Sequence, residues 1–296
     1  MAKESVPVNH CLAKVFRAGP EDLAARVPEL RPLRTKTIAV FGVGCLGAPS
    51  VFEFARAGAR CLRFVDYDVA DPATAVRWPL GFAAAGLKKV NGLHSYICRN
   101  YPFTRSEPFD LKIGTVRERL DRPSDQAVIE QVTRGADLIY DTTAELGVQN
   151  YLTDYARAHS LTYIGVSGTL GAWGGKVFRI RPQTGSPCWY CYRHACDDGT
   201  IPEPPSAPDQ EGTVQPIGCA DPTFTGAGFD MLQVALMGVR MAVSTLCEGS
   251  SAYPSYGSDV VHMRFRDSDG GLITPMFQAY DLTTHEKCPL CHGKPA

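Results

Sequence analysis

The ten residues FGVGCLGAPS (Phe41–Ser50) constrain this chain more than any other stretch. They follow an apolar run, TIAVF (Thr37–Phe41), and lead into a segment with the apolar spacing of a helix, Gly47–Ala57. A second apolar run, CLRFV (Cys61–Val65), comes next. A buried strand, a glycine turn, a helix and another strand make a βαβ unit. Gly42, Gly44 and Gly47 fit G-x-G-x-x-G at the turn. In that pattern the first glycine allows a tight turn, the second lets a phosphate approach the backbone, and the third lets helix and strand pack closely. The helix N-terminus adds free N–H groups and a partial positive charge. Asp66, at the end of the second strand, can accept hydrogen bonds from both ribose hydroxyls. The stretch therefore predicts a nucleotide site, against the plainer reading of a glycine turn that only packs. A P-loop is excluded, because AWGGKV has no Ser or Thr after Lys176 and lacks the earlier glycine.

The alternation continues downstream. Gly86–Arg99 reads as a helix, Phe109–Val116 as a third strand, DQAVIEQVTRG as a helix ending at Gly135, and Ala136–Asp141 as a fourth strand. VQNYLTDYARAHS is a helix and Thr162–Val166 a fifth strand. Strands alternating with helices predict a Rossmann-like α/β fold, with a mostly parallel sheet covered on both faces. After residue 166, GAWGGKVFRIR and DVVHMRFR alternate as antiparallel strands do, and a helix is expected over about Thr223–Thr245. Residues 1–33 read as an N-terminal lead-in with one short helix near Pro20–Val27. Residues 34–296 read as one domain interrupted by a long Pro-, Asp- and Gly-rich crossover loop at about 196–219. Loops of that length in a compact domain are usually functional.

A net charge of −1 gives no electrostatic case for nucleic acid or an anionic membrane surface. The first twenty residues lack an apolar core of the signal-peptide kind, and Met231–Leu246, interrupted by Gln233 and Arg240, reads as a buried helix too short to span a bilayer. A cytoplasmic location is expected.

Eleven cysteines in a chain of this size do not suggest a small disulfide scaffold. Four of them form two C-x-x-C pairs, Cys188 with Cys191 and Cys288 with Cys291, the donor set of a tetrahedral thiolate zinc site. The second pair sits in a breaker-rich tail, EKCPLCHGKP, which a structural metal would clamp. A redox dithiol is the competing reading, but the thioredoxin-like strand-to-helix context is missing. Cys45, Cys61 and Cys98 lie in apolar patterns and are expected in the core, while Cys11 and Cys247 have no informative context. Cys196 and Cys219 flank the long loop. Cys219, in QPIGCADPTFTG just ahead of a helix, is either a usable nucleophile or a small turn residue.

The glycine loop, the DYD at Asp66–Asp68, Arg77, Lys89, the DTTAE stretch opened by Asp141 and the two distant cysteine pairs occur here in one order. Together they resemble the E1-like adenylating enzymes of the ThiF/MoeB/HesA family, over roughly residues 34–292. The resemblance implies ATP-dependent adenylation of the C-terminal glycine of a ubiquitin-like or sulfur-carrier protein, releasing pyrophosphate. It implies ATP, Mg2+ and a structural Zn2+ as cofactors. By carry-over, Gly42, Gly44 and Gly47 cradle ATP, Asp66 holds the ribose with Asp68 beside it, and Asp141 opens the family's acidic strand-end stretch. Arg77 and Lys89 contact phosphates, and Cys219 takes the thioester position. It also implies a homodimer or pseudo-symmetric heterodimer and, from a likeness to bacterial ubiquitin-pathway proteins, an E2-like partner.

Three departures stand out. The family's magnesium-binding Asp is Ala144 here, with Glu145 one residue on as a substitute. The usual Asn of a neighbouring stretch is Thr74. The N-terminal arginine motif that serves the partner subunit is absent, with Arg17 and Arg34 as unmatched candidates. These leave a second reading, a catalytically weak adaptor that pairs with an active subunit or recruits a ubiquitin-like protein. A nicotinamide-dependent dehydrogenase, the third reading, leaves the cysteine pairs unexplained.

Overall fold

The computed structural model describes residues 13–114, 123–209, 213–214, 223–250 and 253–291. Its centre is an eight-stranded sheet. The strands are β1 (Thr37–Phe41), β2 (Cys61–Asp66), β3 (Arg105–Asp110), β4 (Leu138–Asp141), β5 (Thr162–Gly168), β6 (Gly174–Ile180), β9 (Val260–Arg266) and β10 (Leu272–Tyr280), in the order β10-β9-β6-β5-β4-β1-β2-β3. β7 (Thr213–Val214) and β8 (Thr223–Phe224) form a separate two-stranded ladder. β3, β2, β1, β4 and β5 are parallel, and β6, β9 and β10 extend the sheet antiparallel. The mixed sheet is the one the alternation predicts.

β1 shows why both faces are covered. Side chains alternate across a strand, so Ile38 and Val40 enter one core and Ala39 and Phe41 the other, all four fully buried. After the short α1 (Pro20–Ala24) of the lead-in, the first face packs α2 (Gly47–Arg56), α3 (Lys89–Asn100) and α7 (Gly228–Leu246); the second packs α4 (Asp125–Thr133), α5 (Leu146–Ala158) and α6 (Trp189–Asp197). By length and composition α7 could cross a membrane, so the expectation that it is too short does not hold. Its apolar residues have another destination: Met231, Val234, Ala235, Met241 and Ala242 are buried in the first core. Gly238 lets this helix close onto the sheet, since a Cβ there would collide with the Tyr140 hydroxyl.

Three further expectations shift. β3 lies at Arg105–Asp110 rather than Phe109–Val116. It is a polar edge strand, RSEPFD, placed by pairing with β2 from Cys61↔Arg105 to Asp66↔Asp110 and not by an apolar pattern. The long helix begins at Gly228, because Thr223–Phe224 is extended. Cys98 is exposed at the end of α3, whereas Cys61 is buried and Cys45 partly so. Leu33, inside the lead-in, is fully buried in the first core, and its carbonyl accepts from the Arg60 amide at 3.1 Å.

Candidate nucleotide crevice and cysteine cluster

Strand order reverses between β1 and β4, so the connections leaving their carboxyl ends diverge and open a crevice. Gly42, Gly44, Asp66, Tyr67, Asp68, Lys89, Lys112, Thr142, Thr143 and Glu145 line it. The three glycines have different duties. Gly42 has φ +82°, the left-handed turn that brings the chain off β1. Gly44 has nothing within 4 Å of where a Cβ would stand, so its backbone is open to a ligand. At Gly47 a Cβ would collide with the Gly42 carbonyl and the Thr142 hydroxyl.

The loop is braced from three sides. Asp66 accepts from the Val43 amide at 2.7 Å and, through its other oxygen, from the Asp68 amide at 2.8 Å. Thr142 donates to the Gly42 carbonyl at 2.8 Å. The Trp78 indole donates to the Val43 carbonyl at 2.8 Å. Burial pushes the Asp66 carboxyl up from its ordinary value, and the nearby Lys89 charge opposes that. Lys89, on the first turn of α3, is 8% exposed and pairs with Asp68 at 2.6 Å. An ammonium held in the crevice wall suits a phosphate.

Arg77 and Asp141 are placed differently. Arg77 does not line the crevice; its guanidinium reaches the Thr223 hydroxyl at 2.5 Å, at the return of the long loop. Its charge still acts with that of Lys89 on the partly buried Cys45 thiol, which burial pushes up. Asp141 is fully buried beneath the crevice floor. It accepts from Tyr163 at 2.7 Å and from the Thr143 amide and hydroxyl, both at 2.8 Å, so it orients Thr143 and does not itself line the crevice. Cys219 lies outside the described residues. Arg34 pairs with Glu21 and lines a groove at the far end of α2, and Arg17 pairs with Asp22 at 3.1 Å.

Sequence reasoning missed Lys112, whose ammonium lies 4.6 Å from the centre of the Tyr67 ring, as well as Thr142, Thr143 and Trp78. Only the threonines carried a visible trace, next to Asp141 in DTTAE. Ala144 adopts φ +58°, and Glu145 follows it into the crevice lining.

The four paired cysteines converge. Cys188 lies 3.9 Å from Cys191 and 3.4 Å from Cys288, and Cys191 lies 3.6 Å from Cys291, sulfur to sulfur. Tetrahedral zinc with Zn–S bonds of about 2.3 Å sets its sulfurs roughly 3.8 Å apart, whereas a disulfide needs about 2 Å. The donors therefore fit zinc. Burial pushes the thiols of Cys188 and Cys191 up, a cost that a divalent cation removes.

Residues 21–256 match the ThiF family. The uncharacterized protein y4qC of Sinorhizobium fredii is 36% identical over 249 residues, covering 82% of this chain and 42% of that protein. The adenylyltransferase and sulfurtransferase UBA4 of Scheffersomyces stipitis is 25% identical over 242 residues, covering 80% of this chain and 47% of that protein. The chain thus spans less than half the length of these curated relatives. Among solved structures, Escherichia coli MccB with MccA-N7isoASN superposes with a TM-score of 0.64 at 13% identity, covering 94% of this chain and 76% of that one, a likeness of fold. With the glycine loop, the strand-order reversal and the cysteine cluster all in place, and the family matched over most of its length, this chain belongs to the ThiF family.

Proposed function

We propose that the crevice binds ATP and that the protein adenylates the C-terminal carboxylate of a ubiquitin-like or sulfur-carrier protein. The carrying observation is that Gly42, Gly44, Asp66, Asp68 and Lys89 line one crevice at the switch point of a ThiF-family sheet. The likeness to UBA4, an adenylyltransferase and sulfurtransferase, supports an activity of this kind. In this reading Asp66 holds the ribose while bracing the loop, and the open backbone at Gly44 receives the phosphates. Lys89 exchanges Asp68 for phosphate oxygens, and Arg77 joins it by leaving Thr223. A substrate carboxylate oxygen attacks the α-phosphorus, the bond to the bridging oxygen breaks, and pyrophosphate leaves. Cationic groups fixed before the reaction stabilise the charge that develops there. Asp68 and Glu145 both offer carboxylate oxygens to the crevice and would hold Mg2+, which supplies further charge neutralisation. The Cys219 thiolate then attacks the acyl carbon and AMP departs. Zinc on the four cysteines ties the C-terminal tail to α6. The family resemblance supports a dimer and an E2-like recipient.

The adaptor reading rests on Ala144, which puts no carboxylate where the family has one. One experiment separates the two. The protein is mixed with MgATP and candidate ubiquitin-like proteins ending in glycine, and pyrophosphate exchange and thiol-reducible adducts are measured. The proposal expects exchange with the cognate protein, and an adduct lost in Cys219→Ser while exchange persists. ATP binding with no exchange for any candidate favours the adaptor, and absence of ATP binding defeats both.

A further inference from the structure

We propose that Cys196, Glu203 and His262 form a second divalent-metal site, separate from the four-cysteine cluster and suited to zinc. The three come from different segments: Cys196 from the last turn of α6, Glu203 from the stretch after it, and His262 from β9. Their donor atoms all lie within 4.8 Å of one another. α6 thus carries cysteines of one cluster at its start and of the other at its end.

The histidine is prepared for ligation. Its Nδ1 lies 2.8 Å from the Pro202 carbonyl, which can only accept, so Nδ1 carries the proton and Nε2 presents a lone pair. A ligating histidine is commonly held through its other nitrogen in this way. Burial holds His262 below its ordinary pKa, which keeps the ring neutral. The Tyr192 hydroxyl, 2.9 Å away, donates to Nε2 and can turn that hydrogen bond to the sulfur when a metal arrives.

The donors also carry charge. A thiolate and a carboxylate offer two negative charges to a divalent cation, beside the one positive charge of Lys176. Without the cation the thiol is pushed up to about 11, by burial and then by Glu203. Glu203 is held by Lys176 through both oxygens, at 3.0 and 2.8 Å. One oxygen can keep Lys176 while the other ligates. Metal binding forms the metal–sulfur bond and releases the Cys196 proton to solvent. A donor set of sulfur, nitrogen and one carboxylate favours zinc over magnesium or calcium.

Lys176 extends the polar face beside the cluster. Register sets Lys176 opposite both Ser167 and His262, so the three share one face of the sheet. The Ser167 hydroxyl, next to Lys176 on that face, is buried with no hydrogen-bond partner among the described residues. Three protein ligands leave a fourth position open, as in exchangeable rather than closed zinc sites. Metal here would pin the segment after α6, which leads toward the loop carrying Cys219, to β9.

The test is a zinc titration of the full chain, stripped of metal, against a chromophoric chelator, with cobalt absorption as a second readout. Wild type should take up two equivalents per chain. Cys196→Ser and Glu203→Gln, both nearly isosteric, should take up one and keep the cobalt spectrum of the four-cysteine site. Circular dichroism checks their folding, and either variant suffices if the other misfolds. A wild type that saturates at one equivalent, or folded variants that still bind two, overturns the proposal.

Discussion

The ammonium of Lys89 lies 2.6 Å from the Asp68 carboxylate, at the point where α3 meets the crevice. The lysine is nearly buried, so its charge is positioned before any ligand enters. If it serves a phosphate, Lys89→Ala removes a charge-assisted hydrogen bond of about 1.5–3 kcal/mol. The dissociation constant for ATP should rise by roughly tenfold to a hundredfold. Titration calorimetry at constant magnesium checks this, and unchanged affinity would remove Lys89 from the mechanism.

Gly44 and Gly47, three positions apart in the same loop, should respond differently to alanine. At Gly47 the added methyl meets the Gly42 carbonyl and Thr142, so the loop and α2 must separate, at a cost of about 1–3 kcal/mol. At Gly44 it meets nothing within 4 Å. Gly44→Ala should melt with the wild type yet bind ATP poorly. Gly47→Ala should melt several degrees lower. Equal melting temperatures would contradict the packing, and full ATP affinity in Gly44→Ala would contradict the phosphate path.

Asp141 has a pH signature. Burial raises its carboxyl above the ordinary value, although Tyr163 and Thr143 oppose this. The folded state therefore holds the proton more tightly than the unfolded state. Its contribution is full below the unfolded value of about 4 and is lost as pH rises through the folded value. Asn at this position can keep the Thr143 hydrogen bonds and does not titrate. Asp141→Asn should therefore gain stability relative to wild type between about pH 4 and pH 7. Urea unfolding at the two ends of that range measures it, and a constant difference would mean that Asp141 is ionised throughout.

Metal on the four cysteines should carry the tail. Zinc at such sites contributes apparent free energies on the order of 10 kcal/mol. Cys288→Ser should lower zinc content by one per chain and expose the segment around Asp281–Cys291 to proteolysis. An unchanged zinc content, or unaltered cleavage, would make the sulfur convergence incidental.

Much of the fold was legible because the signals were local. TIAVF, the glycine loop and CLRFV declare a βαβ unit within about thirty residues. The polar edge strand β3 was not legible, since RSEPFD carries no alternation and gains its place only by pairing with β2. The sequence likewise does not reveal that Cys98 is exposed: its helix position is apolar in pattern, but it falls on the last turn of α3, where its sulfur meets the polar Ser106 and His94. In the crevice, the glycines and acids could be named from spacing. Lys112, Trp78 and the pairing of Arg77 with Thr223 depend on segments far apart in the chain.

The sequence by itself determined the order of strands and helices, the glycine turn and the donor chemistry of the cysteines, because short-range sterics and residue type suffice for these. Tertiary structure decided the rest. It brought two cysteine pairs from distant segments to within bonding range of one ion, buried Asp141 below the site it was expected to line, and gathered Cys196, Glu203 and His262. Sheet register and packing between remote segments set those distances, and no local pattern encodes them.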